Sequence, residues 1–205
     1  MMECVALIRG INVGKTKRIA MSELRSLFVG LGHDNVRTLL NSGNVLFRCA
    51  RPNTGKLALA IQCAMADTCG ITASVTVITA PILSAIVREN PLLRVAKDPS
   101  RHLVAFAAQP RTLAALRPMM DESWTPDALA VSSRAAYLWC ADGVLDSKLS
   151  RMFARRAGET VTTRNWATVL KLLAASTAVP AAKDQARLDA ACRRRVVSPP
   201  RTMRP

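Results

Sequence analysis

The sequence has few aromatic residues, few histidines and no paired-cysteine motif. Phe, Trp and Tyr make up 4% of the 205 residues, so aliphatic side chains and alanine must fill any core. The two histidines, His33 and His102, have no cysteine or carboxylate neighbours at the spacing of a zinc site. The sequence therefore predicts no metal site, and it contains no cofactor motif.

The sequence motifs of common hydrolases are also absent. There is no H-E-x-x-H, no G-x-S-x-G and no pair of carboxylates at catalytic spacing, so no nucleophile with its base is visible. The polar residues of the motif-like stretches are Arg, Lys, Asn, Ser and Thr. Such side chains hold phosphate or carboxylate groups and do not transfer protons readily near neutral pH.

No hydrophobic run is long enough to span a membrane. The longest, VTVITAPILSAIV from Val75, is broken by Pro81 and is shorter than the roughly 20 residues of a membrane helix. No secretory signal opens the chain. None of the six cysteines forms a C-x-x-C pair. We therefore expect a cytoplasmic protein with reduced cysteines and no membrane association.

Acidic residues are scarce relative to basic ones. The chain has 14 Asp and Glu against 29 Lys and Arg, which gives a net charge of +15. A surface this basic attracts nucleic acid, phosphorylated metabolites or acidic lipid. Arginine-rich proteins encoded by GC-rich genes carry the same excess without any such partner, so charge alone leaves both interpretations open. The excess is partly local, because residues 183–204 contain seven basic and two acidic residues.

Hydrophobic periodicity predicts a β-α-β-β-α-β order in the first part of the chain. ECVALIR has the composition of a buried strand, and MSELRSLFVGLG has apolar residues at helical spacing. NVRTLL and NVLFRC form a hairpin signal around Ser42 and Gly43. A second helix and the β-branched strand TASVTVIT complete the order, which is that of a ferredoxin-like unit.

The second part of the chain repeats this order more loosely. We predict an α+β fold with two ferredoxin-like (βαββαβ) subdomains, each with an antiparallel sheet, over residues 1–78 and 101–180. Residues 79–100 form a bridging helix and linker. The second subdomain ends in a C-terminal helix with Trp166, Leu170 and Leu173 on one face. Residues 181–205 form a basic tail, for which a helix followed by disordered chain is expected.

The stretch LIRGINVGKTKR nearly matches a phosphate-binding loop. That loop requires G-x-x-x-x-G-K-[ST], and the first glycine is displaced from position 9 to position 10. In a true loop the Lys and Thr begin a helix, whereas here the helical period starts only near Met21. The pattern therefore argues against a nucleotide-hydrolysing protein.

Five stretches together resemble a known family. ALIRGINVG, MSELRSLF, VRTLLNSGNVLF, SKL and TTRNWATVLKL resemble, in this order, motifs of the bacterial family called domain of unknown function 1697, over residues 3–175. The resemblance implies two ferredoxin-like subdomains and no established activity. The chain departs from the family at Lys15-Thr16-Lys17, where a second glycine and an asparagine are usual, and at Ala167, where the family has asparagine.

The loop after the first strand is a candidate anion-binding site. Arg9, Asn12 and Lys15 supply donors, while Gly10 and Gly14 allow backbone amides to turn toward a ligand. The structural alternative is a strained crossover whose charges are solvated.

The hairpin residues Ser42 and Asn44 are further candidates, although a purely structural turn is favoured there. Ser147 and Lys148 begin a helix that we expect Asp146 to cap. A lysine at the N-terminus of a helix is repelled by the helix dipole, and an anion bound nearby would offset this repulsion.

The last long helix offers another candidate anion site at its first residues. Arg164 and Asn165 begin this helix, whose free amides and guanidinium group suit an anion, with Thr163 or Asn165 as its cap.

Three functions follow from these residues. The first is a binder of an anionic ligand, either a phosphate-bearing small molecule or the phosphate backbone of a nucleic acid. The second is an enzyme acting on a small phosphorylated or carboxylated metabolite bound between the subdomains. The third is a structural or partner-binding protein that uses its basic tail, with the partner unspecified.

Overall fold

The computed structural model describes residues 1–13 and 17–178. Two of the candidate residues, Gly14 and Lys15, lie outside the described residues, as does the predicted tail over residues 181–205. Among the described residues, no helix has the length and apolar character needed to cross a bilayer.

The first unit has four strands and two helices in the predicted order. Its elements are β1 (Met2–Ile8), α1 (Met21–Gly30), β2 (Asp34–Leu39), β3 (Asn44–Cys49), α2 (Thr54–Cys69) and β4 (Val75–Thr79). The strands form one sheet in the order β2-β3-β1-β4, in which every neighbouring pair is antiparallel. This is the ferredoxin-like arrangement that the sequence predicts.

The second unit repeats this topology after the connecting helix α3 (Ala80–Arg88). It consists of β5 (His102–Ala107), α4 (Pro110–Leu116), β6 (Ala128–Val131), β7 (Ala136–Trp139), α5 (Lys148–Ala157) and β8 (Val161–Asn165), and it is followed by α6 (Trp166–Thr177). Its antiparallel sheet has the order β6-β7-β5-β8. The predicted fold class is therefore confirmed, whereas the exact domain boundaries at residues 78 and 100 stay a prediction.

Side-chain caps define where the later helices begin. The Asn165 side chain accepts a hydrogen bond from the Thr168 amide at 2.9 Å, so one of the two predicted caps of α6 is correct. The cap predicted at Asp146 is wrong, because Ser147 accepts from the Ser150 amide at 2.9 Å instead.

The helices and sheets alternate in layers. Helices α1 and α2 cover one face of the first sheet, and α4 and α5 cover the outer face of the second sheet. Between the two sheets lie α3 and α6, which pack on the remaining face of each. Both sheets are therefore covered by helices on both faces, and a continuous apolar layer joins the two units.

The central position of α6 corrects the predicted face of this helix. Trp166, Val169 and Leu172 are its buried residues, whereas Leu170 is 41% exposed. Leu173 is only partly buried against the same core. The positions of α3 and the two sheets around α6 determine which face of this helix is buried. The helical period of the sequence carries no information about those positions.

One histidine is fully buried in this central layer. The His102 ring stacks on Trp166 with centroids 5.0 Å apart, and its Nε2 lies 3.3 Å from the Asn90 side-chain amide. Its Nδ1 has no hydrogen-bond partner in the described part of the chain. Burial therefore lowers the pKa of His102 from 6.5 to about 4.

The free energy of unfolding should decrease as the pH falls from about 6.5 to about 4. In this window the unfolded chain protonates His102 while the folded protein keeps it neutral, so protons favour the unfolded state by up to roughly 3 kcal/mol. Urea unfolding at a series of pH values measures the effect. The variant His102→Phe retains the stacked ring and should show a flatter pH dependence. Identical pH dependence in both proteins would contradict this assignment.

Candidate binding cavity at the junction of the two units

Arg164, the fourth residue of β8, reaches from the second unit into the first. Its Nε donates to the Asn44 side-chain oxygen at 2.6 Å, and its Nη2 donates to the Ile8 carbonyl at 2.9 Å. Its Nη1 donates to the Thr162 hydroxyl at 2.8 Å. Further carbonyl acceptors within hydrogen-bonding distance are those of Ser42, Gly43 and Thr163. The guanidinium group thus joins the end of β1, the β2–β3 hairpin and β8.

The charge of Arg164 is balanced by carbonyl dipoles. Burial lowers its pKa to about 10, so the group is still cationic at neutral pH. Among the ion pairs of the described residues, none involves Arg164. The junction therefore carries a net positive charge.

Arg9 makes the reciprocal connection from the first unit to the second. It follows β1 directly, and its Nη1 donates to the carbonyls of Gly158 and Val161, the latter at 2.7 Å. Arg9 also lacks a carboxylate partner among the described ion pairs. We refer to Arg9, Arg164 and Asn44 as the arginine junction, since each bridges or supports the contact between units.

The hairpin candidates are engaged in this junction. The buried Asn44 amide donates to the Leu39 carbonyl at 3.1 Å and to the Ser42 hydroxyl at 3.0 Å. Gly43 has a φ of +74°, and a Cβ at this position would lie 2.7 Å from the Ile8 carbonyl oxygen. Glycine is therefore required for the hairpin to approach the carbonyl that Arg164 binds.

Asn12 has a local structural role in the described chain. Its side chain donates to the Ile19 carbonyl at 3.0 Å and accepts from the Ile19 amide at 2.9 Å. These bonds close the loop before α1, which begins at Met21 as predicted. Asn12 lines a cavity with Arg18 and Asn41 that is separate from the one at the arginine junction.

A cavity of about 270 Å³ lies beside Arg9 of the first unit and Arg164 of the second unit. It opens between α5 and the edge strand β8, and Gly10 completes its rim from the first unit. The structure thus brings three of the sequence-predicted candidates to one cavity: Arg9, Gly10 and Arg164.

The candidates at the start of α5 lie elsewhere. Ser147 and Lys148 line a different cavity of about 290 Å³, together with Asp127, Asp142 and Asp146. The Ser147 hydroxyl donates to the Asp127 carboxylate at 2.7 Å. Three carboxylates beside Lys148 offset its charge, so this cavity lacks the net positive charge of the arginine junction.

The cavity at the junction also contains residues that the sequence did not identify as site candidates. Ser150 and Thr163 contribute hydroxyl groups, and Phe153, Ala154 and Ala157 form a wall along α5. No motif in the sequence marks these positions, because single hydroxyl residues and alanines are common throughout the chain.

The fold and the junction define a class of protein with two ferredoxin-like units joined by reciprocal arginines. A model of the family described as "Protein of unknown function (DUF1697)" matches residues 1–137, and the chain belongs to this family. No curated protein matches the chain.

A solved structure, "conserved bacterial protein SP0830 from Streptococcus pneumoniae", is similar with a TM-score of 0.68 and 19% identity. The match covers 86% of this chain and 99% of that one. At this identity the similarity establishes the fold.

Replacement of Arg164 by methionine should lower the free energy of unfolding by roughly 3 kcal/mol. The variant leaves the Ile8 carbonyl and the Asn44 side-chain oxygen without their donor, and each unsatisfied buried acceptor costs about 1–3 kcal/mol. Lys171→Met, an exposed change on α6, is the control and should stay within about 0.5 kcal/mol of the parent. Chemical denaturation measures both. If Arg164→Met is as stable as Lys171→Met, the arginine junction does not hold the units together.

Gly43→Ala should destabilise the protein more than Gly32→Ala. Both glycines have positive φ, at +74° and +80°, but only the new Cβ at position 43 meets backbone, since no atom lies within 4 Å of the Cβ position of Gly32. The control therefore costs about 1 kcal/mol for conformation alone, and Gly43→Ala costs more. Thermal unfolding of the two variants compares them. A Gly43→Ala protein as stable as Gly32→Ala would contradict the close approach.

Proposed function

We propose that the cavity at the arginine junction binds a small anionic ligand. The observation that supports this most directly is the pairing of two arginines, Arg9 and Arg164, at one cavity, with no carboxylate bound to either in the described chain. Two cations that face a shared space raise the local positive potential, and an anion placed there lowers the energy of both.

Hydrogen-bond donors that have no partner in the described chain also support the proposal. The Nε and Nη2 of Arg9, the Gly10 amide, and the hydroxyls of Ser150 and Thr163 have no hydrogen-bond partner within residues 1–13 and 17–178. All four residues line the cavity. Donors of this kind suit a carboxylate or phosphate group.

The enzyme alternative has less support from this cavity. In the described chain its lining includes no histidine, cysteine, lysine or carboxylate, so it offers no side chain that titrates near neutral pH. A carboxylate, that of Glu159, lines an adjoining cavity of about 300 Å³ beside Arg9 and Gly10. An enzymatic role would require that group to reach a ligand bound at Arg9.

The nucleic-acid alternative rests on charge alone. Ferredoxin-like proteins that bind RNA stack bases on aromatic side chains of an open sheet face. Here both sheets are covered on both faces, and Phe47, Phe106 and Tyr137 are buried. Contacts to the phosphate backbone are the form of this alternative that the net charge of +15 supports.

Titration of the full chain with sodium phosphate and with sodium acetate tests the proposal. We expect saturable NMR shifts at the amides of Gly10, Ser150 and Thr163, with affinity reduced at least about tenfold in Arg9→Gln, because a charge-assisted pair is lost. Sodium chloride at the same ionic strength controls for screening.

The matched control for Arg9→Gln is Lys148→Gln, which removes the same charge from the other cavity and should bind like the parent. If Arg9→Gln does not fold, Arg9→Lys serves instead and should bind more weakly because the planar fork is lost. Shifts that do not saturate, or that are the same in the Arg9 variant and the parent, would refute anion binding at this cavity.

A further inference from the structure

We infer that the ligand is a short monocarboxylate with an apolar body, bound with its carboxylate at Arg9 and its chain between α5 and the second sheet. This inference rests on the proposed function and specifies the chemical class of the anion. It follows from three properties of the cavity: the composition of its walls, the donors that remain free, and its volume.

One part of the wall away from the arginines is apolar. Leu103 and Leu138 contribute from the outer face of the second sheet, and Phe153 contributes from α5. Val144 and Ala157 extend the same surface. A hydroxyl or phosphoryl oxygen placed against these side chains would lose its hydrogen bonds to water without replacement, whereas a hydrocarbon chain would be stabilised there. This patch therefore suits the hydrocarbon part of a ligand, while Ser150 and Thr163 contribute hydroxyl groups to the same lining.

Of the two arginines at the cavity, only Arg9 has guanidinium donors without a protein partner in the described chain. All three nitrogens of Arg164 already donate to protein acceptors. Arg9 uses Nη1 for the carbonyls of the second unit, which holds the group in place and leaves Nε and Nη2. Two parallel N–H groups on one planar edge match the two oxygens of a carboxylate. One such edge serves one carboxylate, which indicates a ligand with a single anionic group.

The volume of the cavity accommodates a short apolar body. About 270 Å³ corresponds to roughly nine water molecules at about 30 Å³ each. A carboxylate with four to six carbons in all has a similar number of heavy atoms. The exposed Ala154 lines this space from α5, so a larger side chain at that position would occupy it without disturbing the core.

Calorimetric titration of the full chain with acetate, butyrate and hexanoate tests the inference. Affinity should rise roughly fourfold for each added methylene, because each is transferred from water to the apolar walls. Hexanamide, which has the same chain without the charge, should bind much more weakly than hexanoate. Ala154→Leu should remove the advantage of hexanoate over acetate while acetate binding persists. Arg9→Gln should weaken all three acids.

The matched control is Ala64→Leu, the same change in the groove between α1 and α2, which should leave the chain-length dependence intact. If acetate and phosphate bind through Arg9 but affinity does not rise with chain length, the inference fails and the proposed anion site stands. If no anion binds, both fail. Hexanoate binding that Ala154→Leu leaves unchanged, or that hexanamide equals, would also overturn the inference.

Discussion

The guanidinium group of Arg164 is held between the two units by acceptors from both. It satisfies the carbonyl at the end of β1 and the side-chain oxygen of the buried Asn44, groups that would otherwise lose hydrogen bonds at the contact between units. The tight hairpin at Gly43 is required for these acceptors to lie within reach. The same contact between the units forms the cavity, because Arg9 and Gly10 of the first unit line it together with residues of the second unit.

The central layer of helices determines where this contact forms. Helix α6 packs between the two sheets and begins directly after β8, so its position also sets the position of Arg164 at the end of that strand. The same layer covers one face of each sheet and leaves neither available as an open binding platform. Packing therefore leaves the proposed binding cavity in the crevice between α5 and β8 and not on a sheet face.

Stretches that are far apart in the chain have a shared structural role. The arginine of RGINVG binds carbonyls of the second unit, and the arginine of TRNW binds the asparagine of SGN. The guanidinium donors of both arginines join the two units, and only Arg9 keeps donors without a partner in the described chain. Residue types that suit anion binding therefore also suit the binding of backbone carbonyls, and the sequence pattern is the same for both roles.

Local sequence information was enough to determine the order of strands and helices, the Ser42-Gly43 hairpin and the Asn165 cap, because periodicity and turn chemistry act over a few residues. It also identified Arg9, Gly10 and Arg164 as members of candidate anion-binding motifs, although it placed Arg164 at the start of the last helix and not in β8. It did not separate them from Ser147 and Lys148, which lie at another cavity. Only the tertiary structure decided which of these residues meet, and which face of α6 is buried, because both depend on the docking of two units whose contacts are more than a hundred residues apart in the chain.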